Sequence, residues 1–149
     1  MNKNLTNSQF NCKSYCTEKY DIVIGFIPGY QPDVSLSQLH NIKKDFNMDY
    51  FNNLYRKIST SNPICVVSGV IQKALVCYPK EWGCPENGEP VYTISCTRNP
   101  EFNNSELLFR EAVLYNVQVL QEELKQATVN VTESMVRVYY SIKDDKENK

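Results

Sequence analysis

The residues best suited to chemistry stand together between positions 78 and 90, in the sequence Y-P-K-E-W-G-C-P-E-N-G-E-P. This segment holds the only tryptophan of the chain, Trp82, and the glutamates Glu81, Glu86 and Glu89. Prolines and glycines at this density exclude a helix or a central strand, so the segment is predicted to be a loop. On a small scaffold, loops are where binding and catalytic residues concentrate.

The first chemistry that this loop predicts is ligand binding. Trp82 offers a flat stacking face, and the nearest guanidiniums can bind a carboxylate or phosphate through two hydrogen bonds. Such a set suits a planar, anionic, nucleotide-like molecule or a peptide segment. In the alternative interpretation, Trp82 folds back as a lid on the hydrophobic core and the glutamates stay outside. The predicted ligand-binding residues are Tyr78, Trp82, Glu89, Tyr92, Arg98 and Arg110.

The second chemistry is acid–base catalysis by Glu81 and Glu89, assisted by Arg98 or His40. His40 is the only histidine, so any Cys–His or Ser–His mechanism must use it, and no carboxylate near it in sequence would orient it. The chain contains no nucleophile elbow, no H-E-x-x-H, no G-x-G-x-x-G and no G-x-x-x-x-G-K-[ST]. These absences favour a non-catalytic protein.

The six cysteines are a weak indication of a metal site. Structural zinc prefers two close pairs of ligands, whereas this chain has no C-x-x-C and only Cys12-x-x-x-Cys16 as a half-site. Cys77, Cys84 and Cys96 are expected near one another around the loop. We predict reduced, mostly buried thiols, with a disulfide only in an oxidising environment. No metal and no cofactor is predicted.

The first half of the chain is predicted to contain a strand and a helix. Tyr20–Ile27 is a nearly continuous apolar run, which is typical of a central strand. Ser35 with Gln38 forms a capping box that begins a helix, and this helix continues to Ser59 or breaks in two at Asn47 and Asp49.

The second half is predicted to be rich in strands. Ile64–Tyr78, bent at Gly69, and Val91–Thr97 form an antiparallel hairpin through the loop. A second helix begins near Asn103, with Glu106 completing a capping box. Its predicted apolar stripe is Leu107, Leu114, Val117, Leu120 and Leu124. Two short strands end the pattern, Ala127–Val131 and Val136–Tyr140, with a turn over Thr132–Met135.

This order predicts an α+β fold of the ferredoxin-like β-α-β-β-α-β type, with two helices on one face of an antiparallel sheet and an extra C-terminal strand. The other face needs a cover, and the alternating Tyr and Val residues of the later strands suit a second subunit, so a homo-oligomer is expected. Residues 1–19 are predicted to be a flexible polar arm, 20–142 a single domain, and 143–149 a charged disordered tail.

The composition of the chain limits the kinds of partner and the compartment that are expected. Sixteen basic and 17 acidic residues give a net charge of −1, which disfavours nucleic-acid binding. No apolar run is long enough for a membrane helix and the N-terminus lacks a signal-peptide core, so the cytosol is the expected compartment. Asparagine occurs 16 times, a bias that is typical of AT-rich genes in low-GC bacteria and their phages.

Taken together, these features predict a small cytosolic, non-catalytic binding protein that recognises a nucleotide-like small molecule or a protein partner. A phage or mobile-element accessory protein, which sequesters a host signal or inhibits a host enzyme, would have this character. Two alternatives stay open: an enzyme that uses the loop glutamates, and a structural subunit of a homo-oligomer.

Overall fold

The computed structural model describes residues 12–27 and 47–141. In these residues a four-stranded sheet has the order β2-β3-β1-β4, and every neighbouring pair of strands is antiparallel. This is the ferredoxin-like arrangement, and the predicted α+β fold is confirmed. The elements are β1 (Cys12–Gly25), α1 (Met48–Thr60), β2 (Val70–Val76), β3 (Glu89–Thr97), α2 (Glu106–Glu123) and β4 (Asn130–Ser141).

The core lies between the two helices and one face of the sheet. Strand alternation turns every second residue of β1 toward the helices, and the register places Ile22 opposite Ile94 and Ile24 opposite Tyr92. Removing these apolar side chains from water is the main stabilising contribution. The buried side chains of the sheet are Tyr20, Ile22, Ile24, Tyr92, Ile94 and Cys96, and those of the helices include Phe51, Tyr55, Ile58, Phe109, Val113 and Leu120.

The opposite face of the sheet is polar at its centre and apolar toward β4. Ser95 donates a 2.7 Å hydrogen bond to the Asp21 carboxylate across β3 and β1. By alternation, Val136, Val138 and Tyr140 of β4 lie on the same face as Asp21. The Tyr and Val residues expected on the helix-free face are therefore present, and the homo-oligomer stays a prediction.

Two strand boundaries differ from the sequence-based expectation. β1 begins at Cys12 rather than Tyr20, so residues 12–19, predicted to be a flexible arm, pair with β4. Four of these eight side chains are exposed and the two buried ones, Thr17 and Glu18, are polar, which explains why no apolar pattern marked them as strand. The predicted turn over Thr132–Met135 is wrong, because these residues pair with β1 and the two short strands form the single strand β4.

Each of the two described helices is capped by a polar side chain. The Asn47 side chain accepts a 2.8 Å hydrogen bond from the Asp49 amide and caps α1. The Ser35 capping box lies outside the described residues. α2 is capped by Ser105 rather than Asn103. No helix within the described ranges is long and apolar enough to cross a membrane.

The stripe predicted for α2 is only partly correct. Leu107 and Leu114 are about half exposed, while Phe109 and Val113 face the core together with Leu120. The side of a helix that becomes buried is decided by the sheet against which it packs. Because α2 is apolar on more than one side, its own pattern could not identify that side.

Candidate functional site: a niche at the hairpin end of the sheet

The loop between β2 and β3 is a true hairpin connection, since Val76 pairs with Glu89. Within it, Lys80–Trp82 form a short 3₁₀ turn, after which Gly83 adopts a positive φ of 93°. Only glycine adopts this left-handed conformation without strain, and it reverses the chain there. Trp82 remains 72% exposed, so it does not act as a lid on the core.

Glu89, the first residue of β3, is a half-buried carboxylate at this end of the sheet. Its Oε2 accepts a 3.0 Å hydrogen bond from the Tyr78 hydroxyl. Its Oε1 lies 3.1 Å from the point where a Cβ would stand on Gly25, and Gln126 Oε1 lies 2.4 Å from that same point. Two oxygens therefore converge in the space left by the missing side chain. We call Gly25, Tyr78, Glu89 and Gln126 the Gly25 niche.

The Gln126 side chain is held with its oxygen toward the niche. Its amide nitrogen donates to the Ile27 carbonyl at 2.7 Å and to the Leu124 carbonyl at 3.0 Å, so both hydrogens are used and Oε1 remains as the acceptor. The niche thus joins the end of β1, the start of β3 and the segment after α2. A carboxylate beside an amide oxygen suits a cation or hydroxyl groups, rather than a phosphate.

Tyr92, a predicted ligand-binding residue, lies in the core. Its ring is fully buried and stacks on Phe51 with a centroid separation of 3.8 Å and an interplanar angle of 8°. Its hydroxyl donates a 3.0 Å hydrogen bond to the Asn47 carbonyl. Burial raises the pKa of Tyr92 to about 12. This side chain supports the start of α1 and has no surface to offer a ligand.

Arg98 stands at the other end of β3, about 30 Å from Glu89 at the usual rise of a strand. Its guanidinium donates to both carboxylate oxygens of Glu18, with an NH2–Oε1 distance of 3.2 Å, and to the Asn103 carbonyl at 2.9 Å. The Arg98 hydrogen bond is the main cause that holds the pKa of Glu18 below its usual value. The pair is nearly inaccessible to solvent, so Arg98 does not reach a ligand beside Trp82.

Arg110 is also engaged elsewhere. It donates to Glu133 at 3.0 Å and to Glu106 at 3.1 Å, and the Tyr20 hydroxyl donates to the same Glu133 oxygen at 2.8 Å. The hydrogen bond that Arg110 donates to Glu133 raises the pKa of Arg110. Of the six predicted ligand residues, the structure brings together Tyr78 and Glu89, with Trp82 in the same loop. His40 lies outside the described residues.

A groove of about 470 Å³ lies between α1 and the chain that enters β2. The residues that line it include Asn52, Arg56, Val67, Gly69 and Ile71. None of the described residues that line it carries a carboxylate. It lies at the start of β2, roughly 17 Å along the strand from the Gly25 niche, and it is therefore a separate feature.

The cysteines do not form a metal site within the parts of the chain that the structure describes. Cys96 alone among them is buried, and burial raises its pKa to about 11. Cys12, Cys16 and Cys77 are exposed, so the expectation of mostly buried thiols is wrong. The Cys84 sulfur lies 3.9 Å from the Val76 carbonyl oxygen, next to Cys77, while Cys96 lies in the core near the far end of β3.

Two members of the niche were missed in the sequence. Gly25 and Gln126 are not among the ligand-binding residues that the sequence predicts. The available signal was a glycine at the end of an apolar strand, a position that often marks a close approach of other atoms. No feature of the neighbouring sequence identifies which atoms approach Gly25.

The described residues form a small α+β domain in which two acceptor oxygens converge over Gly25. The SAM lyase family model matches residues 15–142, a range that includes both helices and nearly the whole sheet. This chain therefore belongs to the SAM lyase family.

One solved structure is similar: a phage SAM lyase in complex with S-methyl-5'-thioadenosine, with 20% sequence identity and a TM-score of 0.42, over 87% of this chain and 92% of that one. The ligand of that phage protein is a nucleoside-like small molecule. Comparison with curated proteins finds no match.

The family assignment corrects the main functional prediction. A non-catalytic binding protein, and so no enzyme, was expected, but the chain belongs to a family of lyases. The alternative that named an enzyme had the right class. The mistake came from treating the absence of a nucleophile–histidine pair as a sign of no catalysis.

Proposed function

We propose that this protein cleaves S-adenosylmethionine, without water, to S-methyl-5'-thioadenosine and a four-carbon amino-acid fragment. The observation that carries the proposal is the family match over residues 15–142. Breaking the bond between the sulfonium sulfur and Cγ of the methionine chain leaves the methylthio group on the adenosine, and the sulfur takes the bonding electrons.

This reaction needs little from catalytic side chains. The leaving group is a neutral thioether, so no acid is required to protonate it. In one route the substrate's own carboxylate attacks Cγ and closes a five-membered lactone. In the other route a base removes a proton from Cβ and a Cβ=Cγ double bond forms. Either route proceeds without an enzyme nucleophile.

In the first route the protein acts mainly by positioning. A correctly folded substrate reacts with itself at an effective concentration on the order of 10⁵ M or more. The carboxylate and the sulfonium neutralise each other as the bond forms, so excluding water favours the transition state over the separated charges. The required residues are then those that bind, orient and shield the substrate.

The Gly25 niche is the proposed contact for the positively charged or hydroxyl-bearing part of the substrate. Glu89 supplies a negative charge, Gln126 supplies a second acceptor, and Tyr78 orients the Glu89 carboxylate. Trp82 is exposed in the same loop and is proposed to stack on the adenine. Tyr92, Arg98 and Arg110 are not part of this proposal.

Incubation of the purified protein with S-adenosylmethionine, followed by chromatography, tests the proposal. We expect S-methyl-5'-thioadenosine to accumulate, and Glu89→Gln to reduce its rate by roughly 100-fold. Glu81→Gln is the matched control, because Glu81 is an exposed glutamate in the 3₁₀ turn of the same loop and outside the niche. Substrate recovered unchanged from the folded protein would refute the proposal.

The second product distinguishes the two routes. Intramolecular displacement gives a lactone and retains both Cβ hydrogens, whereas elimination gives an unsaturated amino acid and slows when Cβ carries deuterium. In the second case Glu89 would be the base, and its substitution would abolish the isotope-sensitive step.

The proposal also includes the oligomeric state of the protein, its location and its origin. We infer a homo-oligomer in which a second subunit covers the helix-free face near Val136, Val138 and Tyr140, because that face presents apolar side chains beside a polar centre. The cytosolic location and the phage or mobile-element origin stay predictions from composition. Mass determination of the native protein tests the oligomer, and a monomer at micromolar concentration would exclude it.

A further inference from the structure

The Cys84 thiol lies beside the backbone that leads into Cys77, where the hairpin loop leaves β2. Cys84 Sγ is 3.9 Å from the Val76 carbonyl oxygen, which belongs to the peptide bond that Val76 forms with Cys77. Bond geometry then puts the sulfur within about 6 Å of the Cys77 amide nitrogen. Both thiols are free, Cys77 is exposed and Cys84 is half-buried.

The backbone of the loop produces this approach. The positive φ of Gly83 turns the chain back toward β2 immediately before Cys84. Gly88 brings the other arm so close that a Cβ there would lie 3.3 Å from the Val76 carbonyl oxygen. The pairing of Val76 with Glu89 closes the base of the loop.

The other cysteines are not placed for such a pairing. Cys12 and Cys16 are four residues apart on one strand, roughly 13 Å, beyond the reach of a disulfide. Cys96 is buried in the core, and the Cys65 sulfur accepts a 3.2 Å hydrogen bond from the Asn103 side chain.

We propose that Cys77 and Cys84 form a reversible disulfide that closes residues 77–84 into a ring and restricts the segment that carries Trp82. The oxidant is a low-molecular-weight disulfide. One cysteine thiolate attacks it and releases the first reagent thiol, and the second cysteine attacks the mixed disulfide and releases the other. The protein loses two protons and two electrons, and the reagent disulfide is reduced to two thiols.

Mass spectrometry tests the bond directly. After equilibration of the full chain with glutathione disulfide, the intact mass should fall by the mass of two hydrogen atoms. Trypsin cleaves after Lys80, which stands between the two cysteines. The two resulting peptides should stay joined until a reductant separates them.

Trp82 gives a second readout, because it is the only tryptophan. We expect oxidation to raise its fluorescence anisotropy and to reduce its quenching by acrylamide. Cys77→Ser and Cys84→Ser should each abolish both the mass change and the fluorescence change, and Cys12→Ser, the matched exposed control, should keep them.

Three outcomes would overturn the proposal: an unchanged mass, a persistent mixed disulfide on Cys77, or a link that joins other cysteines. None of these readouts needs S-adenosylmethionine. Their result is therefore independent of whether the proposed lyase activity is correct.

Discussion

The Tyr78 hydroxyl donates a 3.0 Å hydrogen bond to the Glu89 carboxylate and joins the two arms of the hairpin at the start of β3. The bond uses one carboxylate oxygen and leaves the other facing Gly25. A side chain from the loop thus decides how an acidic group on the sheet is presented. We therefore expect the loop to influence the orientation of Glu89 in the niche without closing over it.

Tyr78→Phe removes the hydroxyl and keeps the ring. We expect the rate of S-methyl-5'-thioadenosine formation to fall by roughly 5- to 10-fold, since a lost hydrogen bond of this kind is worth about 1 kcal/mol. Tyr78 is a positioning residue, so kcat should fall more than KM rises. Steady-state kinetics measures this split, and a pure KM effect would show instead that Tyr78 only helps to bind the substrate.

Gly25→Ala fills the niche. The new Cβ would meet Gln126 Oε1 at 2.4 Å and Glu89 Oε1 at 3.1 Å, which are ends of flexible side chains. Glu89 can move at little cost, whereas Gln126 must strain or give up its hydrogen bonds to the Ile27 and Leu124 carbonyls. We therefore expect a loss of activity of at least about 10-fold with about 1–2 kcal/mol of lost stability.

Gly69→Ala is the matched control, because its Cβ would lie 2.7 Å from Ile94 Cγ2 in the core. It should destabilise the fold by about 1–3 kcal/mol through overpacking and leave the kinetics of the remaining folded protein unchanged. Urea unfolding and activity assays on both variants check the contrast. Full activity of the Gly25→Ala protein would show that the niche takes no part in the reaction.

Trp82→Ala separates a ligand contact from a structural role. Because the side chain is 72% exposed, we expect the free energy of unfolding to change by less than about 0.5 kcal/mol. Binding of S-methyl-5'-thioadenosine, measured by calorimetry, should weaken by roughly 5- to 100-fold as the stacking face is lost. A change in subunit number with unchanged ligand affinity would instead place Trp82 in an interface between subunits.

Arg98→Met should destabilise the fold by about 3–5 kcal/mol, because it leaves the Glu18 carboxylate buried without its partner. The double variant with Glu18→Gln should recover part of this loss. Arg110→Met is the control: its ion pairs are exposed, and their loss costs at most about 1 kcal/mol. Equal effects of the two single variants in urea unfolding would contradict this assignment.

The same pair predicts a dependence of stability on pH. The pKa of Glu18 is lower in the folded protein than in the unfolded chain, so the unfolded chain binds the proton more readily. The stabilisation is therefore complete above the unfolded pKa of about 4.3 and is lost as the pH falls through the lower, folded pKa. Thermal unfolding between pH 3 and 7 should show a larger loss in the native protein than in the Glu18→Gln variant, in which Glu101 and Glu133, whose pKa values are also lowered, still contribute.

Most of the fold could be predicted because its signals are local. Proline, glycine and turn residues mark the loop at 78–90, and apolar runs mark the centre of β1 and of β3. Asn47 was identified as a helix breaker and is in fact the cap of α1. The exposed half of β1 was missed, because polar residues in a strand give no apolar pattern even when the backbone is fully paired.

The chemistry of the family could not be inferred from absent motifs. Nucleophile–histidine pairs and metal ligands serve reactions that need an activated nucleophile or a stabilised leaving group. A sulfonium compound already carries its leaving group, so its cleavage needs neither of these. The residues needed to bind and fold it have no fixed spacing in sequence. The family was identified from the match over residues 15–142, and not from the spacing of catalytic residues.

The sequence by itself determined the order of strands and helices, the hairpin loop with Trp82, and the presence of a glutamate at the start of β3. Those features follow from backbone conformation and the periodicity of neighbouring side chains. Only the tertiary structure decided that Glu89 and Gln126 converge over Gly25, and that Arg98 is paired with Glu18. Strand register and helix packing bring such residues together across long stretches of chain, and no local pattern encodes which distant atoms will meet.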